Sequence, residues 1–365
     1  MSKEKITKEE LLNVIKVWKE CDKSRVKTAE VLGIGNSSLS YRLELARTQG
    51  LMTSGSEPVV EEKVDAPFWI KDLPDEELPI EEIIDRAVER FQRKQEAKEA
   101  RSLIDVNLTK QLDGPFGLAI FGDPHLDDDG CNWPKLLEDI ESVKQANMVA
   151  INIGDLTNNW VGRLMKLYAY QETTRHQAIK MIKWLLTESG VYWAAVIGGN
   201  HDMWNTEGGD INQFIFQNEK GIYQAHGVRL NLLCPNGREI RVNARHNFPG
   251  NSQWNEAHAI SKAARFGSDH IYVAGHLHIS GYQIVKDQES GFISHAVRVA
   301  GYKDIDSFKE QLGFRDHKIW ESMAFIIDPY ADNELEFIKP VFSIQDAAKE
   351  LIWRKEQWQK QNRKK

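Results

Sequence analysis
Five short segments concentrate carboxylates, imidazoles and amides. They are Asp123-Pro124-His125, Gly154-Asp155, Gly199-Asn200-His201-Asp202, His246, and Gly275-His276-Leu277-His278. Each follows an apolar run: Phe116–Phe121, Met148–Ile153, Val191–Ile197, Ile240–Ala244 and His270–Ala274. Side chains alternate along an extended backbone, so Asp123 and His125 can point the same way, as can His276 and His278. Glycines before Asp155, Asn200 and His276 permit tight turns and close backbone approach. Such groups are costly to gather unless charges are paired or coordinate metal. Carboxylate and imidazole without thiolate suit Mn, Fe or Zn better than Ca. Two such ions, about 3.5–4 Å apart, can share one carboxylate and clamp the oxygens of a phosphoryl group. They can also lower the pKa of water from about 15.7 towards roughly 7. In this reading Asn200 is a neutral oxygen ligand and His201 donates a proton or holds a phosphate oxygen. Asp202 then orients the His201 imidazole.

These segments need strands to end where they begin. The five apolar runs alternate with amphipathic stretches expected to be helices at Trp133–Gln145, Met165–Glu188 and Asn255–Phe266. That alternation predicts a layered α/β domain. Functional groups at the ends of several strands, meeting in one crevice, recur in such folds. Further strand-like pieces include Ala324–Asp328 and Leu335–Ile338. A final helix starts at Ser343, where Ser343 and Asp346 have the spacing of a capping box. It leads into a basic tail, Arg354 to Lys365, with six Lys/Arg against one acid. The tail is read either as a contact for nucleic-acid backbone or as a solvated end. No internal repeat is seen.

The chain has 365 residues, a net charge of −7 and 41% apolar content, as expected of a soluble globular protein. The charge argues against a generally basic nucleic-acid binder, though not against a local basic patch. No stretch of about 18 uncharged apolar residues occurs, so no membrane span is expected. The polar start, MSKEKITKEE, lacks a secretory h-region. Cys21, Cys131 and Cys234 form no CxxC pair, which argues for a reducing, cytoplasmic setting and against a thiolate zinc site.

The ordered set DPH, GDLT, GNHD, a lone His and GHLH resembles the calcineurin-like metallophosphoesterase family across roughly Phe116 to Tyr282. The resemblance implies a four-layer α/β/β/α sandwich. It also implies one metal held by Asp123, His125, Asp155 and His278, and a second by Asp155, Asn200, His246 and His276. Asp155 bridges the two, and His201 is the general acid or transition-state donor. His226 and His258 are the other candidates for the lone His. Family protein phosphatases carry an Asp-Arg pair after the GD segment and end the Asn motif in Glu. This chain has Asn158-Asn159 and Asp202 there, which leans away from protein phosphatase towards phosphodiesterase or nuclease. Arg245 or Arg163 could take the place of the missing phosphate-clamping arginine. Trp133, Trp160 and Trp204 could stack on unpaired bases or simply pack.

Residues 1 to about 52 read as helical. Leu11, Leu12, Ile15 and Trp18 mark a first helix. Ser24 to Leu32 forms a second, and Gly33-Ile34-Gly35 breaks it. Asn36 or Ser37 can cap a third helix through Arg47. RVKTAEVLGIGNSSLSYRLE resembles the Fis-type helix-turn-helix of bacterial and phage regulators. Ala29 is small where the helices are expected to cross, and Ile34 and Leu39 are expected to be buried. Asn36, Ser37, Ser38, Ser40, Tyr41 and Arg42 could meet base edges or phosphates. Over residues 1–50, ten Lys/Arg against seven Asp/Glu leave +3. The alternative reading of this segment is a small helical protein-docking module. Beyond it, prolines and acidic runs mark a linker. Pro79 then opens a helix to about Leu103 whose stripe, Ile80, Ile83, Ile84, Ala87 and Phe91, docks on the next domain or a partner helix.

The expectation is therefore an α/β (α+β) chain: a four-layer sandwich with a small all-α helix-turn-helix domain. Its parts are a DNA-binding head at 1–52, an acidic linker with a docking helix at 53–112, a metallophosphoesterase domain at 113–342, and a C-terminal helix and basic tail at 343–365. The expected activity is a cytoplasmic phosphodiesterase or nuclease that cleaves DNA by attack of activated water on phosphorus. It uses two divalent ions, manganese first, iron or zinc otherwise. The arrangement looks like phage-encoded members of the family. The rival readings are a small-molecule or cyclic-nucleotide phosphodiesterase with a regulatory head, and a non-catalytic DNA-binding or assembly factor.

Overall fold
The computed structural model describes residues 6–52, 78–204, 211–305 and 318–362. Residues 53–77 of the expected linker and the last three residues of the tail lie outside them. The chain divides into two units, Met1–Pro79 and Ile80–Lys365.

The first unit holds α1 (Lys8–Glu20), α2 (Arg25–Leu32) and α3 (Asn36–Thr48). Thr7 and Glu10 close a capping box on α1, satisfying amides that the first turn leaves open. Gly33 ends α2 at φ 61°, a left-handed conformation that glycine adopts without strain. Leu11, Val14, Ala29, Leu39 and Leu43 are buried, and Ile34 packs against them half-buried. The expected cap on α3 by Asn36 or Ser37 is not formed. Gly35 occupies the cap position and has no side chain to offer.

The second unit opens with α4 (Ile80–Ala100), none of whose residues is buried. The expected docking of its apolar stripe on the following domain is therefore not seen. Next come β1 (Ile104–Asn107), β2 (Phe116–Phe121), α5 (Trp133–Gln145), β3 (Val149–Asn152), α6 (Arg175–Lys183), β4 (Tyr192–Gly198), α7 (Asn200–Met203), α8 (Ile211–Phe216), β5 (Ile222–Ala225) and β6 (Gly227–Leu233). After them run β7 (Glu239–Arg245), α9 (His258–Arg265), β8 (Ile271–Ala274), β9 (Gly281–Lys286), β10 (Ile293–Arg298), β11 (Met323–Ile327), α10 (Glu334–Phe337), β12 (Ile338–Val341) and α11 (Ile344–Asn362).

Two six-stranded sheets result, ordered β12-β11-β2-β3-β4-β5 and β1-β6-β7-β8-β10-β9. Strands β2, β3, β4 and β5 run parallel in the first, and β7, β8 and β10 in the second. Strand β2 shows why the sheets stack. Its six residues are all buried. Phe116, Leu118 and Ile120 enter the core between the sheets, together with Leu230 and Val242 of the second sheet. Ala119 and Phe121 point to the other face, under Leu136 and Ile140 of α5 and Ile344 and Leu351 of α11. Period-two alternation thus feeds two cores at once. Helix α9 covers the far face of the second sheet through Ile260 and Ala264 on Tyr272 and Ala296. The layers are helix, sheet, sheet, helix: a four-layer α/β/β/α sandwich.

Several local expectations change. Met165–Glu188 is not one helix. A 3-10 stretch, Gly162–Tyr170, ends before a new start at Thr174, whose hydroxyl and Gln177 make a capping box for α6. Leu335–Ile338 is not a strand. Asn333 caps the single turn α10, and pairing begins at Ile338. The end of the expected 53–112 linker is a strand, since β1 pairs with β6. Residues 344–362 belong to the sandwich rather than to a tail. Arg354 pairs with Glu336 and Glu350, both at 2.8 Å, and Lys355 donates to the Ala146 carbonyl.

Candidate metal centre
The loops after β2, β3 and β4 carry Asp123 and His125, Asp155, and Asn200 to Asp202. Because these strands are adjacent and parallel, the loops leave the same edge of the sheet. In the second sheet β7 and β8 deliver His246, His276 and His278 in the same way. Backbone bonds tie the loops together. His125 N–H donates to the Asp155 carbonyl at 3.1 Å, and Gly275 N–H to the His246 carbonyl at 3.1 Å. The two sheets are joined where His276 N–H donates to Asp123 Oδ2 at 2.6 Å.

The side chains converge around Asp155. Its Oδ2 is 3.2 Å from His246 Nε2, 3.9 Å from His125 Nε2 and 4.0 Å from His201 Nε2. His246 Nε2 also lies 2.9 Å from Asn200 Oδ1 and 3.0 Å from His276 Nδ1. Asp123 lies beside this group, with Oδ2 4.0 Å from His278 Nε2 and Oδ1 3.8 Å from His246 Nδ1. The His125 and His278 rings are 5.0 Å apart. All seven residues expected to hold metal are thus brought together. His226 and His258 are exposed and outside the cluster.

The hydrogen bonds set the tautomers. His246 Nδ1 faces the Ile153 carbonyl at 2.9 Å. A carbonyl only accepts, so Nδ1 carries a hydrogen and Nε2 is the nitrogen turned towards Asp155 and Asn200. His125 Nδ1 bonds Asn158 Oδ1 at 2.9 Å, while Asn158 Nδ2 donates to Asp128 and Gln171. That orientation of the amide again puts the hydrogen on Nδ1. His201 Nδ1 bonds the Asn158 carbonyl. A partner on one ring nitrogen that frees the other for a cation is the usual arrangement around bound metal.

The donor set fits divalent ions. Asp123 Oδ1 and His125 Nε2 are buried with no hydrogen-bond partner. Asp155 Oδ2, Asn200 Oδ1 and His276 Nδ1 crowd His246 Nε2. Buried carboxylates and imidazoles gathered this closely are stabilised by positive charge among them. Among the described residues, two groups could hold a metal: His125, Asp155 and His201, and Asp155, His246 and His276. The first includes His201, which proximity alone makes a ligand candidate. The backbone makes room as well. A Cβ at Gly199 would overlap Asp155 Oδ1, and one at Gly275 would overlap Asp123 Oδ1. His125, Asp155, His276 and His278 all have φ between 42° and 69°. Such conformations cost of order 1–3 kcal/mol each and cluster at functional sites.

Electrostatics carry the same imprint. Burial pushes the Asp123 carboxyl up to about 8, with the neighbouring Asp155 adding to the effect. Burial opposes charge on His246, but the Asp155 carboxylate outweighs it and holds the imidazole up, at about 10. Burial likewise opposes ionisation of Asp155, yet His246 holds it well below the usual carboxylate range. Burial lowers His125 and His201, and takes His276 down to about 4.

One expected role is corrected. Asp202 does not set the His201 ring, whose Nδ1 is held by the Asn158 carbonyl. Asp202 Oδ2 instead accepts the N–H groups of Asp155 and Gly199, and Oδ1 accepts that of Leu156. Trp160 and Trp204 flank His201, with ring centroids 5.3 and 4.1 Å away. Trp133 is part of the packing instead, 6.1 Å from Trp184. Arg163 and Arg245 are exposed, and Arg245 lies over the Phe248 ring.

Three residues escaped the sequence reading. Asn158 holds two site histidines. Arg298, fully buried, donates to the carbonyls of Gly275 and Glu256 and to Asn251, bracing the loops after β7 and β8. Lys303 bonds Asp128 at 2.8 Å and adds positive charge near His125 and His201. A polar residue just past a strand end signals Asn158. Nothing local signals the other two.

No family model and no curated protein matches the chain. No helix among the described residues is long and apolar enough to cross a membrane. Among solved structures, the chain is similar to Vps29 from Entamoeba histolytica. A single-mutant form matches at 10% identity and a TM-score of 0.32, over 62% of this chain and 97% of that one. The wild type complexed with zinc matches at 9% and 0.31, over 62% and 97%. A predicted phosphoesterase from Streptococcus pneumoniae matches at 10% and 0.26, over 59% and 84%. Likenesses this loose leave the reading of the site to its own geometry.

Proposed function
We propose that the chain is a two-metal phosphoesterase that hydrolyses phosphodiesters of DNA, with its N-terminal unit acting as a helix-turn-helix head. The observation that carries the reading is the convergence of Asp123, His125, Asp155, Asn200, His246, His276 and His278 from parallel strand ends of two sheets. In this proposal Asp123, His125, Asp155 and His278 would hold one ion, and Asp155, Asn200, His246 and His276 would hold the other. When bound, the ions, manganese in this reading, supply Lewis acidity to water and to the phosphoryl oxygens.

The chain's own groups do the rest. The Asn158 carbonyl keeps the hydrogen of the neutral His201 ring on Nδ1, so Nε2 is the atom that faces the substrate and passes a proton to a leaving oxygen once it has gained one. Trp160 and Trp204 hold the ring in place and shield it from water. Asp202 fixes the backbone from which Asp155 projects. The missing arginine after Asp155 favours a diester over a phosphoprotein. Support for DNA comes from the N-terminal unit, where Asn36, Ser37 and Tyr41 are exposed on α3 and Ser38, Ser40 and Arg42 half-exposed.

A manganese-supplemented panel tests the reading: single-stranded DNA, duplex DNA, RNA, cyclic nucleotides and phosphomonoesters. Cleavage of DNA that chelator abolishes is expected. Turnover of cyclic nucleotides alone would move the substrate to small molecules. Turnover that persists in chelator would remove the metal mechanism.

A further inference from the structure
Asn158 is 1% exposed, and every one of its polar groups is engaged. Its backbone N–H donates to Asp127 Oδ1 at 2.7 Å. Its Nδ2 donates to Asp128 Oδ2 at 2.8 Å and to Gln171 Oε1 at 3.2 Å. Its Oδ1 lies 2.9 Å from His125 Nδ1, and its carbonyl meets His201 Nδ1. A carboxamide turned about its last bond exchanges oxygen for nitrogen with little change of shape. Turned that way, Asn158 would offer an N–H to His125 Nδ1. That nitrogen would have to accept, and the hydrogen of the neutral ring would sit on Nε2. An Nε2 that carries hydrogen has no lone pair for a cation.

The groups that prevent the turn come from elsewhere in the chain. Turned, Asn158 Oδ1 would face the Asp128 carboxylate and Gln171 Oε1, three acceptors with no hydrogen among them. Gln171 cannot turn to relieve this. Its Nε2 donates to Asp127 Oδ2 at 3.0 Å and to the Thr173 carbonyl at 2.9 Å. Asp127 accepts on both oxygens and a carbonyl only accepts, so the Gln171 oxygen stays on the Asn158 side. Asp128 is held as well, by Lys303 and by the Gly130 N–H, each at 2.8 Å. Hydrogen-bond direction therefore passes from Asp127 and Thr173 through Gln171 and Asn158 to His125. Gln171 lies between the 3-10 stretch and α6, a segment that carries none of the expected ligands.

We propose that Gln171 and Asp128 are positioning residues for metal binding: together they lock the Asn158 amide, which keeps the His125 hydrogen on Nδ1 and leaves Nε2 open to a cation. The proposal rests on the reading of His125 as a metal ligand and is independent of the substrate assigned above.

Nitrogen NMR of the metal-free full chain, labelled at histidine, reads the ring directly at pH 8, where burial keeps it neutral. The hydrogen of His125 is expected on Nδ1. Calorimetric titration with manganese then measures affinity. Gln171→Leu and Asp128→Leu each leave Asn158 one acceptor and should have small effects. The double variant leaves none. It should weaken binding of one ion by about 10–100-fold, as loss of a ligand's hydrogen-bond partner does. That loss should exceed the product of the two single effects, because the residues act through one amide. Asn158→Leu, which keeps the carbonyl beneath His201, should match the double variant and supplies the comparison if that variant fails to fold. A parent chain with the hydrogen on Nε2 of His125 overturns the proposal. So does an Asn158→Leu or double variant that folds and binds manganese as the parent does. A parent that binds no manganese overturns both this proposal and the metal reading. Metal binding with this pattern but no cleavage of DNA upholds the proposal and removes only the substrate.

Discussion

The carboxylate of Asp202 holds the backbone of Asp155: its Oδ2 accepts the Asp155 N–H at 2.7 Å. The same side chain accepts the N–H groups of Leu156 at 3.1 Å and Gly199 at 2.8 Å. Asp155 needs the help, since its φ is 50°, where residues other than glycine are strained. One acid therefore keeps another in place through its backbone.

Asp202→Ala strands those three buried amides. Each unsatisfied group costs about 1–3 kcal/mol, so a loss of at least about 3 kcal/mol is expected. Urea denaturation in chelator measures it with metal out of the comparison. Asp202→Asn, which keeps one oxygen, should lose less. A change of under about half a kcal/mol in Asp202→Ala would reject the clamp.

Asp155→Ala removes the oxygen nearest to three of the site histidines. Metal content after dialysis against manganese should fall from two ions per chain to one or none. Chelator should lower the melting temperature of the parent but hardly that of the variant, because a ligand stabilises only a state that binds it. Full metal retention by the variant would contradict a shared carboxylate.

His201→Ala separates two roles that proximity allows. As a proton donor, His201 contributes about 10²–10⁴-fold to kcat, and the variant should keep its metal. If metal falls as far as it does in Asp155→Ala, His201 is a ligand.

His295 sets an acid limit on stability. It is 2% exposed, and burial takes its imidazole down to about 4. Above about pH 6.5 folded and unfolded chains both hold the ring neutral. Below that, the unfolded chain binds a proton the folded chain refuses, so stability falls until about pH 4. The loss from this ring is about 3 kcal/mol at 1.36 kcal/mol per pH unit. His295→Gln can keep a partner for the Tyr282 hydroxyl, 2.9 Å from His295 Nδ1, and should flatten the profile between those limits. Parallel profiles for the two proteins would show that the ring does not titrate as stated.

Deleting residues 1–52 tests the head. Cleavage of long DNA should weaken several-fold, and more at low salt than at high, because phosphate contacts are salt-dependent. Hydrolysis of a small aryl phosphodiester should stay unchanged. Equal rates on both substrates before and after deletion would give the head another task.

The strand-end chemistry was legible in the sequence because each ligand segment follows an apolar run, and a parallel strand delivers its C-terminal loop to a common edge. Thus Asp123, Asp155 and Asn200 could be placed from sequence. So could the choice of His246 over His226 and His258, since β7 ends at Arg245. Local capping signals were less decisive. The stretch Met165–Glu188 has helical spacing throughout, yet Thr174 with Gln177 starts a helix inside it. Leu335–Ile338 reads as a strand, yet the Asn333 cap turns it first.

By itself, then, the order of residues determined the layered α/β sandwich, the edge where its loops meet, and the residue types gathered there. Periodicity and strand-end polarity are local properties. The tertiary structure alone decided which nitrogen each histidine presents, because Ile153 and Asn158 approach from other strands. It turned Asp202 from a partner of His201 into a backbone clamp. It also placed Arg298 behind the loop of His276 and left the face of α4 uncovered. These outcomes depend on what lies across space from a residue, and one-dimensional spacing does not record that.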